Sequence, residues 1–146
     1  MTAVDEAPTR SMSQIVTDSV ATFRVQVPEC ITAALVDMST GMLLAVDTLE
    51  ERPDDDLDLL AAATFDLLQG RNVRIIEDVF RGGAAGDRPY FQEMLVNTDD
   101  LVHLFLRSAR HPDLVAAVAC RRQANIGMLF AQARMVMKQM DADFGA

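Results

Sequence analysis

No apolar stretch of this chain reaches the ~18 residues expected of a membrane-spanning helix. Asp37 and Asp47 interrupt the longest candidates, which excludes membrane insertion by a helix. An apolar signal core is also missing from the first ten residues, MTAVDEAPTR, so a cytoplasmic location is expected. Positive charge is scarce: 13 basic residues face 22 acidic ones, for a net charge of −9. Such a surface repels phosphate backbones and anionic bilayers, which argues against nucleic acid or a lipid surface as partner. Cysteine occurs only twice, at Cys30 and Cys120, far apart and inside apolar stretches. Two thiols without a cluster of further ligands do not make a zinc site, and the sequence implies no metal and no cofactor.

What is present is apolar residue, at 50% of 146, enough for one domain with its own core. Residues 1–10 read as a loose tail and 11–146 as the domain. Ser11-Met12-Ser13-Gln14 has the form of a capping box, and the stripe Met12, Ile15, Val16, Val20, Phe23 predicts a first helix to about Arg24. A hairpin follows, Ile31 to Asp37 and Met42 to Asp47, with Gly41 suited to the positive φ of its turn. Asp54-Asp55-Asp56 offers an N-cap and negative charge to a second helix. Spacing predicts this helix over about Leu57 to Phe80, with Gln69-Gly70-Arg71 the point at which it would break. Three more strands, about Phe91–Asn97, Val102–Ser108 and Leu114–Cys120, precede a last helix from Ile126 to about Met140.

The strands are not alike. Ile31–Val36 and Leu114–Cys120 are apolar on both alternating faces and should be central, covered above and below. Phe91–Asn97 carries Gln92 and Glu93, and one face of Val102–Ser108 reads His103, Phe105, Arg107. These more polar strands belong nearer an edge. Ala33, Ala34, Ala116, Ala117 and Ala119 are small, which leads us to expect a helix lying close against the sheet.

The segment ALVDMSTG (Ala34 to Gly41) followed by LLAVD resembles the first hairpin of the Roadblock/dynein light-chain family, and ANIGMLFAQARMVMKQM (Ala124 to Met140) resembles its last helix. The resemblance spans roughly residues 12–142. One departure is Asp37-Met38-Ser39-Thr40-Gly41, where the family often has Asp-x-Asp-Gly. The resemblance implies an α+β sandwich: a five-stranded antiparallel sheet in the order 2-1-5-4-3, flanked by helices on both faces. It also implies a homodimer built by pairing the third strand with its copy and packing the second helices together. Mapped onto this chain, that interface holds Leu68, Ile75, Ile76, Val79, Phe91, Met94 and Val96. Bacterial members of the family serve as adaptors, often linked to small Ras-like GTPases.

Few residue sets suggest chemistry. Gly82-Gly83-Ala84-Ala85-Gly86 lacks the Gly-Lys-Ser/Thr ending of a phosphate loop and reads as a linker. Asp54, Asp55, Asp56 and Asp58 lack the spacing of a calcium loop. His103 and His111 have no nucleophile beside them, and no enzyme signature appears. Arg121-Arg122, at the end of a central strand, is the candidate site for an acidic partner surface. If the first and fifth strands are antiparallel neighbours, Cys30 and Cys120 come together, and a reducing cytosol keeps them as thiols. Met137 and Met140 fall on the core stripe of the last helix, whereas Met128 and Met135 lie off it, on a face open to a partner. The reading is a non-enzymatic homodimeric adaptor that binds or regulates a small GTPase. The alternative is a sensor module of a two-component or other signalling system, holding a small molecule between helix and sheet.

Overall fold

Ser11 opens the first helix with both halves of a capping box: its hydroxyl accepts from the Gln14 amide at 3.2 Å, and the Gln14 side chain accepts from the Ser11 amide at 2.9 Å. Two of the orphan donors of a helix start are thereby satisfied. The computed structural model describes residues 10–82, 86 and 88–145. In chain order the elements are α1 (Met12–Gln26), β1 (Cys30–Asp37), β2 (Met42–Thr48), α2 (Asp54–Gln69), α3 (Arg71–Arg81), β3 (Glu93–Asn97), β4 (Leu101–Arg107), β5 (Leu114–Arg121) and α4 (Ile126–Gly145).

The five strands form one antiparallel sheet in the order β2-β1-β5-β4-β3, as expected. Both doubly apolar strands, β1 and β5, lie inside it. The β1–β2 turn is built on Asp37, whose carboxylate accepts from the Ser39 amide at 2.9 Å and the Ser39 hydroxyl at 2.6 Å. These bonds hold the Asp37 carboxyl below its ordinary range. Gly41 closes the turn at φ +73°, a conformation costly for any residue with a Cβ.

One face of the sheet is roofed by α1 and α4. Val20 and Phe23 of α1 and Leu129, Ala133 and Met140 of α4 pack on Ala33, Leu35, Val102, Leu104, Ala116 and Val118. Each large side chain so buried contributes about 1.5–3 kcal/mol. Asp141 of α4 accepts a buried hydrogen bond from the Ser108 hydroxyl just past β4. The opposite face carries a smaller core, in which Ala61 and Leu68 of α2 meet Val36, Phe105 and Val115.

Three expectations are corrected. The single long second helix is two helices, because at Gly70 the backbone extends (ψ 177°) and a Cβ there would stand 2.4 Å from the Asp66 carbonyl oxygen. The N-cap of α2 is Pro53, with no side-chain cap; Asp54, Asp55 and Asp56 occupy the first turn instead, where they face only the helix dipole. Close helix–sheet approach holds on one face only: Ala33 and Ala116 lie under α1 and α4, whereas Ala34, Ala117 and Ala119 line an open cleft. Arg10, placed with the tail, pairs with Asp18 at 2.8 Å and Asp143 at 2.6 Å; residues 1–9 lie outside the described residues.

Candidate functional site

Strand β3 forms one edge of the sheet, and its backbone register fixes which groups face outward. The Thr98 amide donates to the Leu101 carbonyl at 2.8 Å and the Arg107 amide to the Gln92 carbonyl at 2.9 Å. By the alternation of antiparallel ladders, Met94 and Val96 then direct their amides toward β4, and Glu93, Leu95 and Asn97 direct theirs away. Among the described residues no strand pairs with that outer edge. The side chains alternate too. Met94 packs into the smaller core and Val96 borders the cleft, while Leu95 joins the larger core. Glu93 reaches α4, where Arg134 grips it with two hydrogen bonds of 2.8 and 2.6 Å, holding its carboxyl below the ordinary range.

A second uncovered surface is helical and apolar. Of the residues in α3 only Val73 is buried. Ile75, Ile76, Val79 and Phe80 are all exposed, the last two by 72% and 75%, a degree unusual for side chains that are this apolar. On α2, Leu59, Leu60 and Leu67 are exposed as well. The helical spacing of Leu57, Leu60, Ala61, Phe65 and Leu68 leaves out Leu59 and Leu67 and does not reveal that Leu60 is exposed. The signal was present, since Leu57, Leu59, Leu60, Phe65, Leu67 and Leu68 surround α2 more widely than one sheet face can bury. Leu68 goes the other way: it is 1% exposed and already committed to the core under α2, which leaves it no surface to offer. Phe91 and Met94 are half-buried against the same core.

Between α2 and the sheet lies a cleft of about 640 Å³. Its floor is Ala34, Ala117 and Ala119, and Leu57, Leu60, Val96 and His103 stand around it. The polar groups at its border are mostly engaged. Thr64 donates back to the Leu60 carbonyl at 2.8 Å, Thr32 and Thr48 share a hydrogen bond of 2.7 Å, and Arg52 pairs with Glu50 at 2.8 Å. His103 stacks along Phe105 at a centroid distance of 6.5 Å, and burial pushes its pKa down. The cleft therefore offers an apolar wall with the His103 imidazole, Arg52 and Asp56 at its border.

Arg121 and Arg122 follow at the far end of β5, both exposed. Arg121 stands 3.7 Å from the Glu29 carboxylate, and Arg122 donates to the Thr98 carbonyl in the β3–β4 turn. The nearby start of α4 is capped by Asn125, which accepts from the Met128 amide at 3.0 Å. His111 packs edge-on against Phe144 at 5.3 Å, a structural contact. Among the described residues no three His, Cys, Asp or Glu side chains gather as a metal site would need. Residues 83–85 of the glycine-rich loop lie outside the described residues. Met137 and Met140 are core, and Met128 and Met135 are exposed, as their spacing implied. Among the described residues no helix is long and apolar enough to cross a membrane.

A five-stranded antiparallel sheet in this order, with helices on both faces, is the fold of Roadblock/LC7 domains. A Roadblock/LC7 domain from Streptomyces avermitilis superposes with a TM-score of 0.65 at 20% identity, covering 88% of this chain and 96% of its own. MglB from Myxococcus xanthus gives 0.67 at 10% identity, with 99% and 95% covered. The gliding protein MglB from Thermus thermophilus gives 0.67 at 14% identity, with 97% of both chains covered. No family model matches the chain, and no curated protein sequence does. At these identities the likeness establishes the fold.

Proposed function

We propose that the chain is a non-enzymatic cytoplasmic adaptor that pairs with a second copy of itself and binds or regulates a small Ras-like GTPase. The observation that carries the reading is that the described residues leave two features uncovered, the outer strand edge Glu93–Asn97 and the apolar residues Ile75, Ile76, Val79 and Phe80 of α3. Each feature left open invites aggregation, and one partner of like shape covers both. Antiparallel pairing of β3 with its copy extends the sheet through the outward groups of Glu93, Leu95 and Asn97. The helical faces then meet on one side, with Val96, Ile75, Ile76 and Val79 in the seam. The Roadblock/LC7 fold supports the adaptor reading, and a GTPase as partner follows from the family resemblance. Arg121 and Arg122 are the cationic pair offered to an acidic surface of that partner.

Light scattering during size exclusion tests the first half. At micromolar concentration the mass should be that of two chains, and the double variant Val79→Glu with Phe80→Glu should return it to one. A wild-type mass of one chain removes the reading. For the second half, the chain should alter nucleotide turnover of a small GTPase from the same organism, or be recovered with one. Unchanged turnover and no recovery sink the GTPase assignment while leaving the homodimer standing.

A second reading has one observation in its favour, the cleft over Ala34, Ala117 and Ala119. Its size suits a small apolar ligand, as a sensor module would need. Native mass spectrometry of freshly purified protein showing a bound compound supports it. A clean apo mass together with no thermal shift across an apolar metabolite set counts against it.

A further inference from the structure

We propose that Cys30 and Cys120 are a modification site, at which a peroxide converts the two thiols into a reducible intramolecular disulfide joining β1 to β5. The two residues stand directly opposite each other in the antiparallel β1–β5 pair. A bulge between Cys30 and Thr32 makes this possible, because strict alternation from Ala33 would send Cys30 to the other face. With the bulge, Cys30 and Cys120 both face the layer beneath α1 and α4.

The ladder also fixes their spacing. The Arg121 amide donates to the Glu29 carbonyl at 2.9 Å, and the Cys30 amide turns instead to the Val27 carbonyl at 3.3 Å. Cys30 and Cys120 are therefore a non-hydrogen-bonded pair, the type in which side chains lie nearest and Cα atoms stand about 4.5 Å apart. That lies within the range a disulfide spans, so the bond can form without moving the strands apart.

The chemistry of the pair is unequal. The Cys30 thiol donates to the Thr32 carbonyl at 3.4 Å, and the neighbouring Cys120 thiol, with the Arg24 guanidinium helping, draws Cys30 below the ordinary thiol range. Ionising Cys30 in turn pushes Cys120 up, as does burial. Cys30, at the start of β1 and 5% exposed where Cys120 is fully buried, is the attacking thiol and Cys120 the resolving one. Access comes from the turn: Cys30 is the first residue of β1, pairing with β2 begins only at Thr32, and Glu29 just before it sits at φ +57°. This end of the strand opens at lower cost than its middle.

The step balances. Cys30 thiolate attacks the peroxide O–O bond, giving a sulfenic acid and hydroxide. The Cys120 sulfur then displaces the sulfenic oxygen as water, forming the S–S bond. In sum, two thiols and one hydrogen peroxide give one disulfide and two waters, the two electrons passing to the peroxide.

The test uses the folded wild-type chain. It is exposed to hydrogen peroxide, then quenched in guanidinium with iodoacetamide, and its intact mass is read. The expected result is a one-chain species about 2 Da lighter that takes no alkyl group. Trypsin should give residues 25–71 linked to 111–121, and dithiothreitol before the quench should restore two alkylated thiols. Two alkylated thiols after peroxide, a gain of about 32 Da on either cysteine without a linked peptide, or a disulfide between chains would each overturn the proposal.

Discussion

The guanidinium of Arg107, at the end of β4, donates through Nη1 to the side-chain oxygen of Gln69, the last residue of α2, at 2.7 Å. The same nitrogen reaches the Pro112 carbonyl at 2.6 Å, and Nε reaches the Phe91 carbonyl at 3.0 Å. One side chain, 4% exposed, thus ties the end of α2, the approach to β3 and the β4–β5 turn together. It pins the place where the chain turns from α2 into α3. Burial lowers its pKa from the ordinary arginine value. Arg107→Met should keep the volume and lose the three acceptors' partner. We expect a loss of about 2–4 kcal/mol, read as a fall in Tm and in the urea midpoint. A midpoint within about 0.5 kcal/mol of wild type would show that the clamp carries no weight.

Gly70 separates α2 from α3 because the backbone of Asp66 leaves no room for a side chain. Gly70→Ala should therefore destabilise by about 1–3 kcal/mol, despite the better helix propensity of alanine. Chemical denaturation monitored by circular dichroism measures it. A gain in both stability and helical signal would mean that α2 and α3 fuse without cost.

His103 gives a pH dependence of definite sign. Burial places its folded pKa below the unfolded value of about 6.5, so the unfolded chain takes up a proton more readily. The contribution to stability is complete above about pH 6.5 and is lost as pH falls through the folded pKa. Urea midpoints between pH 7.5 and 5 should decline, and His103→Gln should flatten that decline. A variant whose midpoints fall just as steeply assigns the slope to another group.

The outward amide of Asn97 separates folding from pairing. Asn97→Pro removes a donor that β4 does not use, so the circular dichroism spectrum should hold. Self-association should weaken at least tenfold, as read by sedimentation equilibrium. Unchanged association would place the contact elsewhere than on β3.

Much of the architecture was legible in the residues. Ala116, Val118 and Cys120 interleaved with Val115, Ala117 and Ala119 leave no polar face, and such a strand has to be covered on both sides. The order of all five strands came from the resemblance around Ala34–Gly41 and Ala124–Met140; pattern alone placed β1 and β5 inside. The break at Gly70 was visible as a possibility, because a lone glycine costs a helix too little to force an end; the Asp66 carbonyl decides it. The cleft was hidden, since alanine reads the same whether a helix descends on it, as over Ala33, or stands off, as over Ala117. Arg107 was hidden for a related reason. An arginine closing an amphipathic strand looks solvated until Gln69, 38 positions away, turns back to meet it.

The central strand of the sheet, β5, is the last of the five to be synthesised, and it alone joins the β1–β2 half to the β3–β4 half. A nascent chain emerging from the ribosome can make the β1–β2 hairpin early, but a lone two-stranded hairpin is marginal in water. It must wait for β5 before either half of the sheet has an inner neighbour. Translation therefore has to pass residue 121 before cooperative folding begins, and a message truncated before that point yields two unjoined ribbons for the proteases.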